Sequence, residues 1–204
     1  MKKIIASLAV VASLVSAASA NEIYTAGVYG GVNNGIGDGG VKVQLKQLAL
    51  ENLMIDANIK ASVSEQHDAN IMFSTYVGDG WIVGAGAGVG IINRVGKTTT
   101  STEYIYDSNG NIEGANEVSV AVEDSTTIDA YGKLEATKYL GDFKVTGYGL
   151  AGTGSTAIGA EVGAFFNPNV ELTVSVEQRF LNDTKNESYE KSNVNAMASL
   201  NYHF

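Results

Sequence analysis

The sequence contains no cysteine and only one proline among its 204 residues. Without cysteine, the chain has no disulfide, thiolate nucleophile, cysteine-ligated zinc or lipid-modified N-terminal cysteine. Lysine and arginine are also scarce, with 13 of them against 22 acidic residues and a formal net charge of −9. An acidic chain without a basic cluster binds nucleic acid poorly, so we expect no nucleic-acid partner.

Long hydrophobic runs are absent after the N-terminus, and the single early run is short. The cationic head Met1-Lys2-Lys3 precedes an apolar stretch over residues 4–15, which Ala18-Ser19-Ala20 follows. A transmembrane helix needs about 18–20 apolar residues, whereas a secretory signal peptide has this length and an A-x-A cleavage site. We expect residues 1–20 to be a signal peptide and residues 21–204 to form one exported domain.

The exported part of the chain alternates between apolar and polar residues. In residues 54–63, for example, Ile55, Ala57 and Ile59 alternate with Asp56, Asn58 and Lys60. Successive side chains of a strand point to opposite faces, so this period of two predicts a sheet with one apolar face. Ten segments show the pattern: 22–33, 41–50, 54–64, 70–77, 81–96, 118–139, 143–153, 157–166, 170–181 and 191–204.

The connections between these segments alternate in length. Tight turns at 51–53, 78–80, 140–142 and 167–169 separate longer polar connections at 34–40, 65–69, 97–117 and 182–190, and the connection at 154–156 is short. Short turns at one rim and long loops at the other are typical of membrane barrels. The prediction is an all-β, antiparallel, up-and-down transmembrane β-barrel of ten strands. Eight strands are the alternative, and a soluble β-sandwich would also show alternation.

Aromatic residues cluster beside the tight turns and the chain ends. A membrane barrel has such a girdle at each interface, whereas a sandwich has no reason to sort its aromatics by turn type. We therefore place both termini and the tight turns on the periplasmic side, together with a girdle of Tyr24, Tyr76, Trp81, Tyr139, Phe143, Phe165, Phe166, Tyr202 and Phe204.

Over residues 21–204 the chain resembles the small outer-membrane barrels of Gram-negative bacteria, the OmpA-like and OmpX-like group. Its ending, with Leu200, Tyr202 and Phe204 on one face of the last segment, is similar to the signal by which the barrel-assembly machinery recognises its clients. The resemblance implies a location in the bacterial outer membrane, in contact with its lipid and lipopolysaccharide. The familiar small members have eight strands, whereas this sequence shows ten segments.

If the apolar face meets lipid, the other face lines the lumen. The lumen would then hold six cations and six carboxylates: Lys42, Lys46, Lys60, Lys133, Lys144 and Arg179, with Asp56, Asp129, Glu135, Glu161, Glu171 and Glu177. A charge in a narrow lumen must be paired, so the favoured interpretation is a salt-bridged filling of the lumen, and the alternative is the lining of a narrow water-filled pore. Inward glycines at 84, 86, 88 and 90 leave room for bulky neighbours or for a channel.

Few residues have the chemistry of an active site. The chain has two histidines, His67 in a predicted loop and His203 at the periplasmic rim, which is too few for a histidine metal centre. We expect no cofactor and no metal. The favoured hypothesis is a non-enzymatic outer-membrane protein that acts through extracellular loops 97–117 and 182–190. The alternative is a small porin for passive diffusion, and a surface enzyme using His67 is a second alternative.

Overall fold

Twelve strands account for most of the computed structural model, which describes residues 22–33, 36–50, 52–62, 67–94, 96–123, 125–182 and 191–204. The predicted signal peptide lies outside the described residues. No helix in these ranges has the length and apolar character needed to cross a membrane. The strands are β1 Glu22–Asn33, β2 Ile36–Leu50, β3 Leu53–Ser62, β4 Asp68–Gly78, β5 Trp81–Arg94, β6 Thr98–Tyr106, β7 Ile112–Ala121, β8 Ser125–Leu140, β9 Phe143–Gly152, β10 Ser155–Asn167, β11 Val170–Leu181 and β12 Ser192–His203.

Ten of these strands close into a barrel in the order β1-β12-β11-β10-β9-β8-β5-β4-β3-β2. Every neighbouring pair is antiparallel, and the barrel closes where β1 pairs with β12 from Thr25↔His203 to Asn33↔Asn195. The Phe204 backbone N–H extends this seam by donating to the Tyr24 carbonyl at 2.8 Å. The prediction of a ten-stranded barrel is therefore confirmed, and both the eight-stranded alternative and the two-sheet sandwich are wrong.

The remaining two strands, β6 and β7, form a separate two-stranded sheet in the connection between β5 and β8. The predicted strand over 118–139 was therefore wrong, because it joined the end of β7 to β8 across residues 122–124. The apolar positions keep the same phase on both sides of a polar stretch at 123–127, with Val118, Val120 and Val122 before it and Ile128 and Ala130 after it. The pattern does not show which partner each half pairs with. The predicted start of β2 at 41 was also late, because Gly37, Gly39 and Gly40 carry no side chain to reveal alternation while their backbones pair with β1.

The tip of the β6–β7 hairpin is held by one carboxylate. Asp107 accepts hydrogen bonds at 2.8 Å from the backbone N–H groups of Asn109 and Asn111, and another at 3.1 Å from the Asn111 side chain. These hydrogen bonds hold the pKa of the exposed Asp107 carboxyl below its usual range, and the bond from the Asn111 backbone contributes most. The hairpin tip therefore follows the Asn-Gly turn signal in the sequence.

The outer surface of the barrel is apolar. Side chains on the outward set, from Val83 at 37% exposure to Ile128 at 73%, are open to the surroundings, whereas Asp129 beside Ile128 is completely buried. Soluble monomers rarely expose contiguous apolar patches larger than a few hundred Å². A sheet with its apolar face outward and its polar face inward has the inverse of a soluble arrangement and matches a lipid surround.

Inward glycines make room for aromatic side chains along the wall. Three inward tyrosines each lie against the glycine directly across on the next strand: Tyr29 on Gly40, Tyr131 on Gly88 and Tyr148 on Gly159. A side chain at Gly88 would come within 2.5 Å of the Tyr131 hydroxyl. On β5 the glycines therefore accommodate bulky neighbours, and the tyrosine rings lie along the wall instead of crossing the lumen.

We predict that Gly159→Val destabilises the barrel and that Gly147→Val does not. A Cβ at Gly159 would overlap the Tyr148 ring, whereas a Cβ at the outward Gly147 meets no atom within 4 Å. Overpacking of this kind costs about 1–3 kcal/mol. The measurement is urea unfolding of protein refolded into lipid vesicles. Equal free energies of unfolding for the two variants would show that Tyr148 does not depend on Gly159.

Candidate functional site

The strand registers place all twelve predicted lumen charges on the inward set of their strands. Eleven of them line one internal cavity of about 540 Å³, and the twelfth, Asp129, is fully buried beneath the 153–154 connection. Two further carboxylates, Asp38 and Asp68, also lie on the inward set. The sequence prediction missed Asp38 because it placed residues 34–40 in a loop. It missed Asp68 because it began the strand that is now β4 at residue 70. Continued alternation through Asp68, Asn70 and Met72 was the available signal.

The cavity extends along the whole barrel. Its lining includes Tyr139, Phe165 and Pro168 beside the tight turns, and Asn33 and His67 at the opposite rim. All ten barrel strands contribute to it. The charged lining is balanced, with six cations and six carboxylates: Lys42, Lys46, Lys60, Lys133, Lys144 and Arg179, against Asp56, Asp68, Glu135, Glu161, Glu171 and Glu177.

Near the tight-turn rim, an ion-pair network centres on Glu171, whose side chain is 2% exposed. The Lys144 ammonium lies 2.7 Å from Glu171 and 3.3 Å from Glu161. The His203 Nε2 lies 3.2 Å from Glu171, and its Nδ1 is 2.8 Å from the Thr25 hydroxyl across the closing seam. These contacts connect β9, β10, β11, β12 and β1, so they join both sides of the seam where the barrel closes.

A second network lies in the middle of the lumen around Glu177. This carboxylate accepts hydrogen bonds from Arg179 at 2.9 Å, from the Tyr148 hydroxyl at 3.0 Å and from the Asn195 side chain at 3.2 Å. On the facing side, Lys133 lies 2.8 Å from Glu135 of its own strand and 4.7 Å from the centre of the Tyr148 ring. Because the Arg179–Glu177 and Lys133–Glu135 pairs each form along one strand, these charges are neutralised close to the wall.

At the loop rim, carboxylates bind hydroxyl and amide donors. Asp68 accepts a 2.6 Å hydrogen bond from the Tyr131 hydroxyl and a 2.9 Å bond from the Asn70 amide. Asp129 accepts from the Ser155 hydroxyl at 2.5 Å and from the Gly154 backbone N–H at 2.7 Å. Asp129 therefore fixes the short connection between β9 and β10, and Asp68 is held by one donor from its own strand β4 and one from β8, on the far side of β5.

Most of the predicted girdle residues are exposed at the tight-turn rim, among them Tyr76, Trp81, Phe143, Phe166, Tyr202 and Phe204 at 43–69% exposure. Tyr139 and Phe165 depart from the prediction because their registers turn them toward the lumen, where their rings stack with centres 6.5 Å apart. Tyr24 is on the outward set but is only 4% exposed. Position in the strand decides most of these cases, but Tyr76, which shares the inward set of β4 with Met72 and Ser74, is still 52% exposed at the rim.

The predicted assembly signal lies at the same rim. Leu200, Tyr202 and Phe204 all face outward, and the rings of Tyr202 and Phe204 meet edge to face at 4.8 Å. Of the loops assigned a surface role, 97–117 contains β6 and most of β7, whereas 183–190 lies outside the described residues.

His67 has no acid–base partner arrangement among the described side chains. Its Nδ1 lies 3.4 Å from the Ser62 backbone N–H, and its carbonyl accepts from the Ile91 N–H at 2.7 Å. Within the described ranges, no three His, Asp or Glu side chains converge as metal ligands. The polar chemistry that the structure assembles is therefore that of the charged lumen.

No known family matches the chain, and no curated protein matches it. Solved structures with a similar fold include the NanC porin, at 10% identity and a TM-score of 0.46, covering 87% of this chain and 98% of that one. The N-terminal β-barrel domain of Pseudomonas aeruginosa OprF has 10% identity and a TM-score of 0.36, with 90% and 98% covered. The translocator domain of autotransporter NalP from Neisseria meningitidis has 10% identity and a TM-score of 0.40, with 97% and 93% covered.

We predict that Glu171→Gln destabilises the barrel more than Glu135→Gln. Glu171 is 2% exposed and holds Lys144 and His203, whereas Glu135 is 25% exposed and holds Lys133 alone. Removing one partner of a buried ion pair costs about 3–5 kcal/mol, and a more exposed pair contributes about 1 kcal/mol or less. Free energies of unfolding in urea test the difference. A larger loss for Glu135→Gln would contradict the central place of Glu171.

Proposed function

We propose that this protein is a small outer-membrane channel that lets hydrophilic solutes diffuse through its lumen. The observation that carries the proposal is the cavity of about 540 Å³, lined by all ten strands from one rim to the other and bordered by twelve charged Lys, Arg, Asp and Glu side chains. An interior filled only by packing would need no such space. A narrow charged cavity admits water and small polar solutes and excludes apolar ones.

The apolar outer surface supports a membrane location. Closed β-barrels are one of two architectures that satisfy every backbone hydrogen bond in a bilayer. The barrel strands have 10–16 residues, against the roughly 9–11 that a tilted strand needs to cross. On this proposal, the tight turns and both termini are periplasmic, and the β6–β7 hairpin is extracellular. Lipid and lipopolysaccharide surround the barrel, and the barrel-assembly machinery recognises Leu200, Tyr202 and Phe204.

The arrangement of the lumen side chains favours an open path. Tyr29, Tyr131 and Tyr148 lie along the wall on glycines instead of pointing across the lumen. The Lys133–Glu135 and Arg179–Glu177 pairs each form within one strand. Both arrangements keep bulk and charge beside the wall, so water can occupy the centre.

A second candidate function is surface interaction through the β6–β7 hairpin. The hairpin pairs with no barrel strand, and Tyr106 at 59% and Ile112 at 60% are exposed near its tip. Exposed apolar and aromatic residues at a free sheet edge can add a strand from a partner. The two functions are separable, because a hairpin deletion would remove only the second.

We predict discrete current steps when the refolded protein is inserted into a planar bilayer, and a reduced step size for Ser175→Trp. Ser175 lines the cavity, whereas Val176, its neighbour on β11, is 51% exposed on the outer face. Val176→Trp is the matched control, since an outer-face aromatic leaves the lumen unchanged. Heat-modifiable gel migration confirms folding of each variant. Folded protein without current would contradict the channel and leave the surface role.

A further inference from the structure

Two of the six lumen cations lack a counterion in the described part of the chain. Four cations have a carboxylate oxygen within 4 Å: Lys46 with Asp56, Lys133 with Glu135, Lys144 with Glu161 and Glu171, and Arg179 with Glu177. Neither Lys42 nor Lys60 has one among the described side chains. Both nevertheless line the cavity. An ammonium group in a confined lumen is unfavourable unless something neutralises it.

The two unpaired lysines are direct neighbours. Lys42 of β2 and Lys60 of β3 oppose each other in the register, and like charges placed directly opposite destabilise a sheet. The next inward pair toward the tight-turn rim is Gln44↔Asn58, and both of these amides also line the cavity. The four residues form what we call the lysine–amide patch, which presents two ammonium groups and two amides from adjacent strands.

The contacts of Lys60 leave its charge unneutralised. Its ammonium lies 4.5 Å from the centre of the Tyr29 ring and 3.1 Å from the Met197 sulfur. A ring face and a thioether orient a cation, but neither carries a formal negative charge. Lys60 is therefore held in the lumen by two uncharged groups, an aromatic ring and a thioether.

The carboxylates that act on these lysines from a distance already have closer partners. The negative charges of Glu161 and Glu171 attract the Lys42 ammonium from a distance, yet both carboxylates bind Lys144 directly. The negative charges of Asp38, Asp68 and Glu177 attract the Lys60 ammonium in the same way. Of these, Asp38 accepts from the Ser62 hydroxyl, Asp68 from the Tyr131 hydroxyl and Glu177 from Arg179. The side chains of Lys42 and Lys60 are thus the lumen cations free to bind a mobile anion.

We propose that the lysine–amide patch is a binding site for an oxyanion, the carboxylate or phosphate group of a small solute that enters the lumen. Two ammonium groups supply charge. The Gln44 amide supplies hydrogen-bond donors, and the Asn58 amide, which already donates to Asn70 at 3.1 Å, has one N–H left. A bound anion neutralises ammonium charge that the described side chains of the wall leave without a close carboxylate. This inference rests on the proposed channel for access, and it assigns the local selectivity of that channel.

The test is block of potassium chloride current by inorganic phosphate, and in a second arm by acetate, at constant ionic strength. The two arms distinguish a phosphate site from a carboxylate site. Lys42→Gln and Lys60→Gln should each raise the half-blocking concentration about tenfold, the effect of losing one charged hydrogen bond. Lys46→Gln is the matched control, because it removes the same charge from the same wall outside the patch. Lys133→Gln replaces it if Lys46→Gln does not fold.

An equal shift in the controls would overturn the patch and assign the block to overall lumen charge. Current in the wild type that neither anion blocks would overturn the site and leave the channel standing. If the folded wild type carries no current, the channel proposal fails, and the site is tested by urea unfolding with and without phosphate. Stabilisation by phosphate that the Lys42→Gln/Lys60→Gln double variant loses would support the site, and its absence in the wild type would overturn it.

Discussion

The whole structure depends on how a narrow lumen accommodates charge. Closing ten strands into a barrel turns one side-chain set of every strand inward, and in this chain that set carries the charged residues beside a small apolar cluster of Tyr131, Leu150 and Ala157. An inward charge must find a partner within the wall or remain poorly solvated. Glu171 and Glu177 meet this requirement by gathering several donors each, and their networks cross between strands. Ion pairing therefore stabilises the closed barrel as well as lining its interior.

Glycine determines how much of the lumen stays empty. A barrel of this size would fill if its inward tyrosines pointed to the centre. Glycine on the adjacent strand allows Tyr29, Tyr131 and Tyr148 to lie against the wall, and their hydroxyls then reach Ala61, Asp68 and Glu177. A glycine on one strand thus makes room for a tyrosine on the adjacent strand. The space that these rings leave free at the centre of the lumen is the cavity.

Period-two alternation predicted most of the architecture because the two barrel faces differ so strongly in polarity. It located ten strands and the tight turns, but it failed where the signal is missing or shared. The glycines of 37–40 have no side chain to alternate, so the start of β2 was placed late. The apolar positions of β7 and β8 share one phase across the polar residues 123–127, so a hairpin strand was merged with a barrel strand. Which charge meets which depends on register, and a single sequence does not show it.

In the proposed channel, that dependence on register lets a lumen with balanced charge discriminate between ions. Equal numbers of cations and carboxylates in the lining suggest weak selectivity if only the sum is considered. Register places Lys46 opposite Asp56, where they pair, and Lys42 opposite Lys60, where they cannot. A permeating solute responds to the local field within a few ångströms, since paired charges largely cancel at that distance. On the proposal made above, the two unpaired lysines therefore matter more to an anion than the net charge of the cavity.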